Sequence, residues 1–200
     1  MPHPFIDSIR KRRTQYSLGR SLALTHSQVV ELIQEAVRHA PSSFNSQSSR
    51  VVILLGAQSD CFWNIVKETL RTVSASDAFA RTEKKMAGFA AGAGTVLFFE
   101  DQNVVRQLQE KYPLYADHFP SFSEHSSGMA QFAVWSALAN AGIGASLQHY
   151  HPLIDAEVAK TWELNPDWRL RAQMPFGSNE GALPEKTFID DSVRFRVFGL

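Results

Sequence analysis

The clearest hydrophobic rhythm in the chain is Val29, Leu32, Ile33, Ala36, Val37 and Ala40, spaced as one face of a core helix from Thr25 to Ala40. Thr25 with Gln28 supplies the capping-box pattern that opens it. Pro41 disfavours helical geometry in the residue it follows, which ends the helix at about Ala40. Val51 to Leu55 is then an unbroken apolar run, predicting a central strand from Ser49 to Gly56 buried on both faces. Helices are expected over Ser59 to Val73 and Ala78 to Ala91, followed by a second buried strand from Thr95 to Phe99. Gln102 to Tyr112 is helical in pattern, Pro113 to Pro120 is irregular and aromatic-rich, and Ser123 to Ala141 is a long Ala-rich helix ended by Gly142. Small residues along that last helix permit close approach, either to a partner's helix in a dimer or within the core.

The remaining pattern is shorter. Asp7 to about Tyr16 predicts a helix opening at Asp7 or Ser8, and Ile143 to Tyr150 a strand or extended loop. A helix capped by Asp155 runs to Leu164, and Trp168 to Gly177 alternates as a half-buried strand broken by Pro175-Phe176-Gly177. Ser192 to Phe198 alternates strictly, which puts Arg194 and Arg196 on one face of an expected edge strand.

Composition narrows the class. A chain of 200 residues, 44% hydrophobic and 20% charged, buries one sizeable core and predicts one domain. The 20 Lys and Arg balance the 20 Asp and Glu, so no global field favours nucleic acid or an anionic membrane. Cys61 is the single cysteine, excluding an internal disulfide. There is no apolar leader near the N-terminus, and no apolar run reaches the roughly 18 residues that span a bilayer. These features predict a soluble, cytoplasmic protein.

Candidate chemistry lies in four places. Ala40 to Gln47 is a small, polar loop offering hydroxyls and amides without charge, which suits a planar ligand with many acceptors. Arg10 to Arg13 form a cationic run that reads either as a solvated basic face or as an anion site with forked donors for a phosphate. Arg194 and Arg196 repel each other on a regular strand, and an anion beside them relieves that repulsion. His149 and His151 share one face, but two histidines without a third ligand at known spacing argue only weakly for a metal. Gly92-Ala93-Gly94 and Gly142-Ile143-Gly144 both lack the pattern of a dinucleotide fingerprint, and no serine lies in a nucleophile-elbow context.

Taken in order, Arg12-Arg13-Thr14-Gln15-Tyr16, Pro41-Ser42-Ser43-Phe44-Asn45-Ser46-Gln47 and the closing Arg194-Phe195-Arg196-Val197-Phe198-Gly199 resemble the flavin-dependent nitroreductase family. The resemblance is to its short, single-domain branch, the fatty acid repression mutant-like nitroreductases, and Gly142 to Tyr150 is similar to that branch too. It implies an α+β, nitroreductase-like fold with a central, mainly antiparallel sheet flanked by helices, in a single domain over residues 1–200. It further implies a domain-entwined homodimer with FMN in each of two interface sites and NADH or NADPH as electron donor. By the same resemblance Arg12, Arg13 and Thr14, with Arg194 and Arg196, hold the phosphate and ribityl end of FMN. Ser42, Ser43 and Asn45 reach it from the partner subunit, and the backbone from Leu147 to His149 faces its ring. Tyr16, Gln47 and Gln148 complete the implied cofactor-binding set. Where larger members carry Pro-Trp after the loop's glutamine, this chain has Ser48-Ser49.

The implied activity is ping-pong reduction of small electron-poor acceptors such as nitroaromatics or quinones, with the hydride chemistry carried by the flavin. Two other classes stay open on the sequence: a non-catalytic flavin-binding or regulatory module, and a structural α/β interaction domain without cofactor. Oxygen-dependent flavin breakdown and reductive dehalogenation are less favoured chemistries of the same scaffold.

Overall fold

The protein is described by a computed structural model covering residues 3–74 and 76–199. In chain order it forms α1 (Pro4–Lys11), β1 (Leu18–Gly19), α2 (His26–Arg38), a 3-10 turn (Ser43–Asn45), β2 (Ser49–Leu55), α3 (Ala57–Val73) and α4 (Ser76–Ala90). There follow β3 (Gly94–Asp101), α5 (Gln102–Lys111), a 3-10 segment (Pro113–His118), α6 (Phe119–Asn140), β4 (Gly144–Ala145), α7 (Asp155–Thr161), β5 (Trp168–Asn179) and α8 (Asp191–Arg194). The sheet runs β1-β5-β3-β2, with β4 also on β5, and every paired strand is antiparallel.

Alternation along β3 divides the core. Val96 and Phe98 point into a cluster with Val29 and Ile33 of α2 and Val134 and Leu138 of α6. Leu97 and Phe99 point the other way, against Phe62, Trp63 and Val66 of α3, Met86 and Phe89 of α4, and Val158 of α7. The sheet is therefore covered by helices on both faces, which is the α+β arrangement that the resemblance implies.

Several expected elements move. The first helix spans Pro4 to Lys11 rather than Asp7 to Tyr16, because Pro4 takes the first turn, where its missing N–H costs nothing, and Arg12 is already extended. The Val51–Leu55 run is not central: β2 pairs only with β3 and forms the described edge of the sheet, with its flanks half-buried by α2 and α3. Its apolar run reflects helices on both faces, which periodicity does not distinguish from strands on both sides. β5 is fully buried from Ala172 to Gly177 and continues through Pro175, whose carbonyl accepts from the backbone of Ser146 at 3.2 Å. Asp155 lies inside the first turn of α7 while Ile154 takes the cap position without a side-chain bond. Thr25 caps α2 with the expected reciprocal pair of bonds to Gln28.

The least expected polar feature is Glu100, fully buried near the end of β3. Its carboxylate accepts from the hydroxyls of Ser48, Ser49 and Ser123 at 2.5–2.6 Å. The two serines that replace Pro-Trp thus join the start of β2 to β3 and α6. A buried carboxylate is tolerable only with such donors. Ser123→Ala is expected to cost about 1.5–3 kcal/mol, the range for hydrogen bonds to charged groups. In urea this reads as a lower unfolding midpoint at unchanged slope, and an unchanged midpoint would show that the carboxylate does not depend on α6.

Candidate functional site

After α1 the chain runs extended across the end of the sheet. Thr14 bridges Ala145 of β4 in parallel, and Gln15 donates its backbone N–H to the Ala145 carbonyl at 2.9 Å. The buried Gln15 side chain donates to the Gly181 carbonyl at 2.8 Å. Arg12, Arg13 and Thr14 are thereby held alongside the segment that leads into Leu147, Gln148 and His149. The Arg12 guanidinium lies over the Trp135 ring of α6, 4.5 Å from its centroid. Burial, and then the neighbouring Arg13 charge, push its pKa below the usual value. Arg13 donates to the Pro184 carbonyl, and neither arginine has an ion-pair partner among the described residues.

The Leu147–Tyr150 segment is locked from behind by Gln173 of β5. Gln148 and Gln173 exchange both backbone bonds, at 2.7 and 2.9 Å, and the Gln173 side chain accepts from the Tyr150 N–H at 2.8 Å. Gln148 is buried and its amide donates to the Ser146 hydroxyl, while His149 is exposed. The His149 and His151 rings stand 5.8 Å apart. Both have pKa values lowered, first by partial desolvation of the ring against the protein surface and then by the Arg171 charge, which favours neutral imidazoles.

An aromatic group borders these segments. Tyr16 lies 6.5 Å from Phe89, and Trp63 lies 4.8 Å from Phe89 and 6.0 Å from Tyr150. The Lys85 ammonium of α4 sits 5.6 Å from the Phe89 ring and 5.8 Å from that of Tyr150. Burial, with a smaller contribution from Tyr16, pushes the Tyr150 phenol up to about 12. Sequence reasoning missed Lys85, since Lys84-Lys85 on a helix reads as a solvated face. Its signal is tertiary: a cation over aromatic faces with no carboxylate partner among the described residues.

The Ser42–Gln47 loop stands elsewhere, over the first half of α6. The Ser43 N–H donates to the Ser126 hydroxyl at 3.3 Å, and the Gln47 N–H donates to the Ser42 hydroxyl at 2.9 Å. Arg50, paired with Asp101 at 3.0 Å, donates to the Gln47 carbonyl at 2.6 Å. Phe44, Asn45 and Gln47 all have left-handed backbone, with φ of 57°, 49° and 49°. That conformation costs a non-glycine residue about 1–2 kcal/mol. The Asn45 and Gln47 side chains are exposed and make no hydrogen bond among the described residues.

One chain therefore carries two separate groups of the implied residues. Ser126 under the loop and Trp135 under Arg12 are nine positions apart on α6, about 13 Å along a helix rising 1.5 Å per residue. The third group, Arg194 and Arg196, lies in a tail whose residues 181–199 are all exposed. The expected strand there is instead the single turn of α8 followed by extended chain. Asp190 caps that turn by accepting from the Ser192 hydroxyl and from the Ser192 N–H at 2.8 Å, and the hydroxyl first and then the N–H lower its pKa. With no neighbouring strand among the described residues, this local capping wins over alternation. Arg196 donates to the carbonyls of Ser192 and Phe195 rather than meeting Arg12.

Comparison with known proteins follows the same outline. The structure of CinD from Lactococcus lactis in complex with chloramphenicol is 49% identical to this chain, covering 98% of it and 100% of CinD at a TM-score of 0.90. HBN1 of Saccharomyces cerevisiae is 33% identical over 193 residues, 94% of this chain and 95% of that protein. A nitroreductase with bound FMN from Desulfitobacterium hafniense, 15% identical over the full length of both chains, shares the fold at a TM-score of 0.73. The family model described as Nitroreductase family matches residues 9–178, which include the Arg12–Thr14, Ser42–Gln47 and Leu147–His149 segments, and the chain belongs to the nitroreductase family.

Proposed function

We propose that the chain is an FMN-dependent NAD(P)H oxidoreductase that reduces small electron-poor acceptors, nitroaromatics and quinones among them. In this reading it works as a homodimer with FMN at each of two subunit interfaces. The observation that carries the reading is the Arg12–Arg13 pair, without a carboxylate partner among the described residues, on the stretch that Thr14 and Gln15 fasten to Ala145, two residues before the Leu147–His149 segment. Two adjacent guanidiniums, one drawn out of water, suit the phosphate of FMN, and Thr14 adds a hydroxyl. Arg194 and Arg196 of the tail add two further cations.

Each remaining residue then has a task. Gln173, by holding Gln148 and Tyr150, keeps the Leu147–His149 backbone in one shape against a planar ring. Lys85 supplies a positive charge for an anionic edge, and the protonated Tyr150 phenol keeps an O–H to donate. Ser42, Ser43, Asn45 and Gln47 act on the partner's cofactor, since their loop lies over a different part of α6 from Arg12. FMN, when bound, supplies the two-electron chemistry between nicotinamide and acceptor, so the chain needs no general base of its own.

Unpartnered apolar surface supports the homodimer. A cavity of about 590 Å³ between α1, α2 and α6 is lined by Phe5, Met129 and Phe132, and the tail exposes Val193, Phe195, Val197 and Phe198. The CinD structures carry the choice of substrates. They contain chloramphenicol and 4-nitrophenol, both nitroaromatic, and nicotinic acid, a pyridine carboxylate. The exposed, free Cys61 supports a cytoplasmic setting.

The deciding experiment is the visible spectrum of the purified protein after incubation with FMN and removal of the excess, then addition of NADH or NADPH under argon. Retained flavin that bleaches supports the reductase. Retained flavin that stays oxidised supports a binding module, and no retained flavin on folded protein defeats the reading. The Arg12→Ala/Arg13→Ala double variant is expected to weaken FMN retention by about a hundredfold, two charge-assisted contacts at about 1.4 kcal/mol each. Steady-state rates should follow a ping-pong pattern, and a compulsory ternary complex would count against it.

Tyr150 gives a pH test. Its raised pKa means that the folded state holds a proton the unfolded state releases above about pH 10. Its contribution to stability is complete below pH 10 and is lost as pH rises through about 12. Tyr150→Phe should therefore lose less stability than wild type across that window, measured by urea midpoints. Parallel curves would remove the phenol from the account.

A further inference from the structure

We propose that Phe44 is a positioning residue whose ring holds the Ser42–Gln47 loop in its ligand-ready shape; the proposal rests on the reading of that loop as a cofactor-binding half-site. The loop's backbone is left-handed at three residues, none of them glycine. Asn tolerates that conformation better than most residues, but the Asn45 side chain makes no hydrogen bond among the described residues, and Phe and Gln have no such tolerance. Something outside the loop must hold it.

The internal bonds do not suffice for this. Asn45 and Ser46 donate to the Ser42 and Ser43 carbonyls, and Gln47 donates to the Ser42 hydroxyl. Arg50 holds the loop only at its exit through the Gln47 carbonyl, and Ser43 reaches α6 through one long bond to Ser126, so Phe44 and Asn45 are left without a polar anchor outside the loop. The Phe44 ring makes the broad contact. Its centroid lies 5.0 Å from Tyr112, 5.3 Å from Phe119 and 6.1 Å from Tyr115. These distances and tilts are those of favourable aromatic pairs. Phe119 is 2% exposed and belongs to α6, while Tyr112 closes α5, so the ring is seated on fixed elements.

Phe44 itself is 51% exposed, so it is not a core residue. Truncating it opens little cavity. The ring's effect falls on the loop, where it makes the conformation that presents Asn45 and Gln47 the dominant one. A ligand binding that conformation is weakened in proportion to the population lost when the anchor goes.

The test uses the full chain as Phe44→Ala and Phe44→Tyr, with amide hydrogen exchange on the FMN-free protein and FMN affinity by quenching of flavin fluorescence. Phe44→Ala is expected to speed exchange at Asn45, Ser46 and Gln47 about tenfold and to raise the FMN dissociation constant about tenfold, or about 1.4 kcal/mol. Its thermal midpoint should stay close to wild type, and Phe44→Tyr should restore both quantities. Wild-type exchange in Phe44→Ala overturns the anchor. Faster exchange with unchanged FMN affinity overturns the ligand-ready role. A wild-type protein that binds no FMN defeats the proposed function instead, and the exchange comparison still decides whether Phe44 anchors the loop.

Discussion

The arrangement depends on one buried carboxylate. Glu100 sits in an apolar interior where a charge without donors is untenable, and its three donors come from two other elements, the start of β2 and the first turns of α6. Satisfying it fixes where β2 begins, and so where the Ser42–Gln47 loop ends. Arg50 adds a second hold two residues later, gripping Asp101 and the Gln47 carbonyl together. The loop is thus fastened at its exit by ionic and charge-assisted bonds.

The other half of the site is fastened differently. Arg12 to Thr14 owe their place to backbone pairing with β4 and to stacking on Trp135, and Leu147 to Tyr150 owe theirs to Gln173. Helix α6 underlies both halves and spaces them like a ruler. In the proposed homodimer such a spacer keeps the two groups of one chain apart, so that two copies facing each other would bring unlike groups together. Between the two groups α6 exposes apolar surface at Met129 and Phe132.

Much of this was legible in the amino acids. The capping box at Thr25 fixed the start of α2, the apolar runs found β2 and β3, and the mixed antiparallel architecture and family followed from three short motifs. What was not legible has a common cause: one-dimensional pattern reports burial and period, not neighbours. An apolar run flanked by helices on both faces looks like a central strand, which misplaced β2. Trp168 to Gly177 read as a half-buried strand, yet its polar Gln173 is wholly buried. The tail's alternation had no strand beside it among the described residues to make a ladder, so Asp190 capped a helical turn. Lys85 gave no local signal at all.

Assembly in time is a separate consequence of how the N-terminal residues are held. Thr14 bridges Ala145, Gln15 bonds Gly181, Glu180 donates to Ser17 at 3.0 Å, and Leu18 pairs with Asn179. These backbone and amide contacts, which fasten the stretch after Arg12 and Arg13, all come from residues beyond Gly144. During synthesis Thr14 to Leu18 wait for Ala145 and for Asn179 to Gly181, so this corner of the molecule closes long after its first residues are made. Such long-range closure is the slow kind. The cation pair at the start of the chain is in this sense a late product of folding.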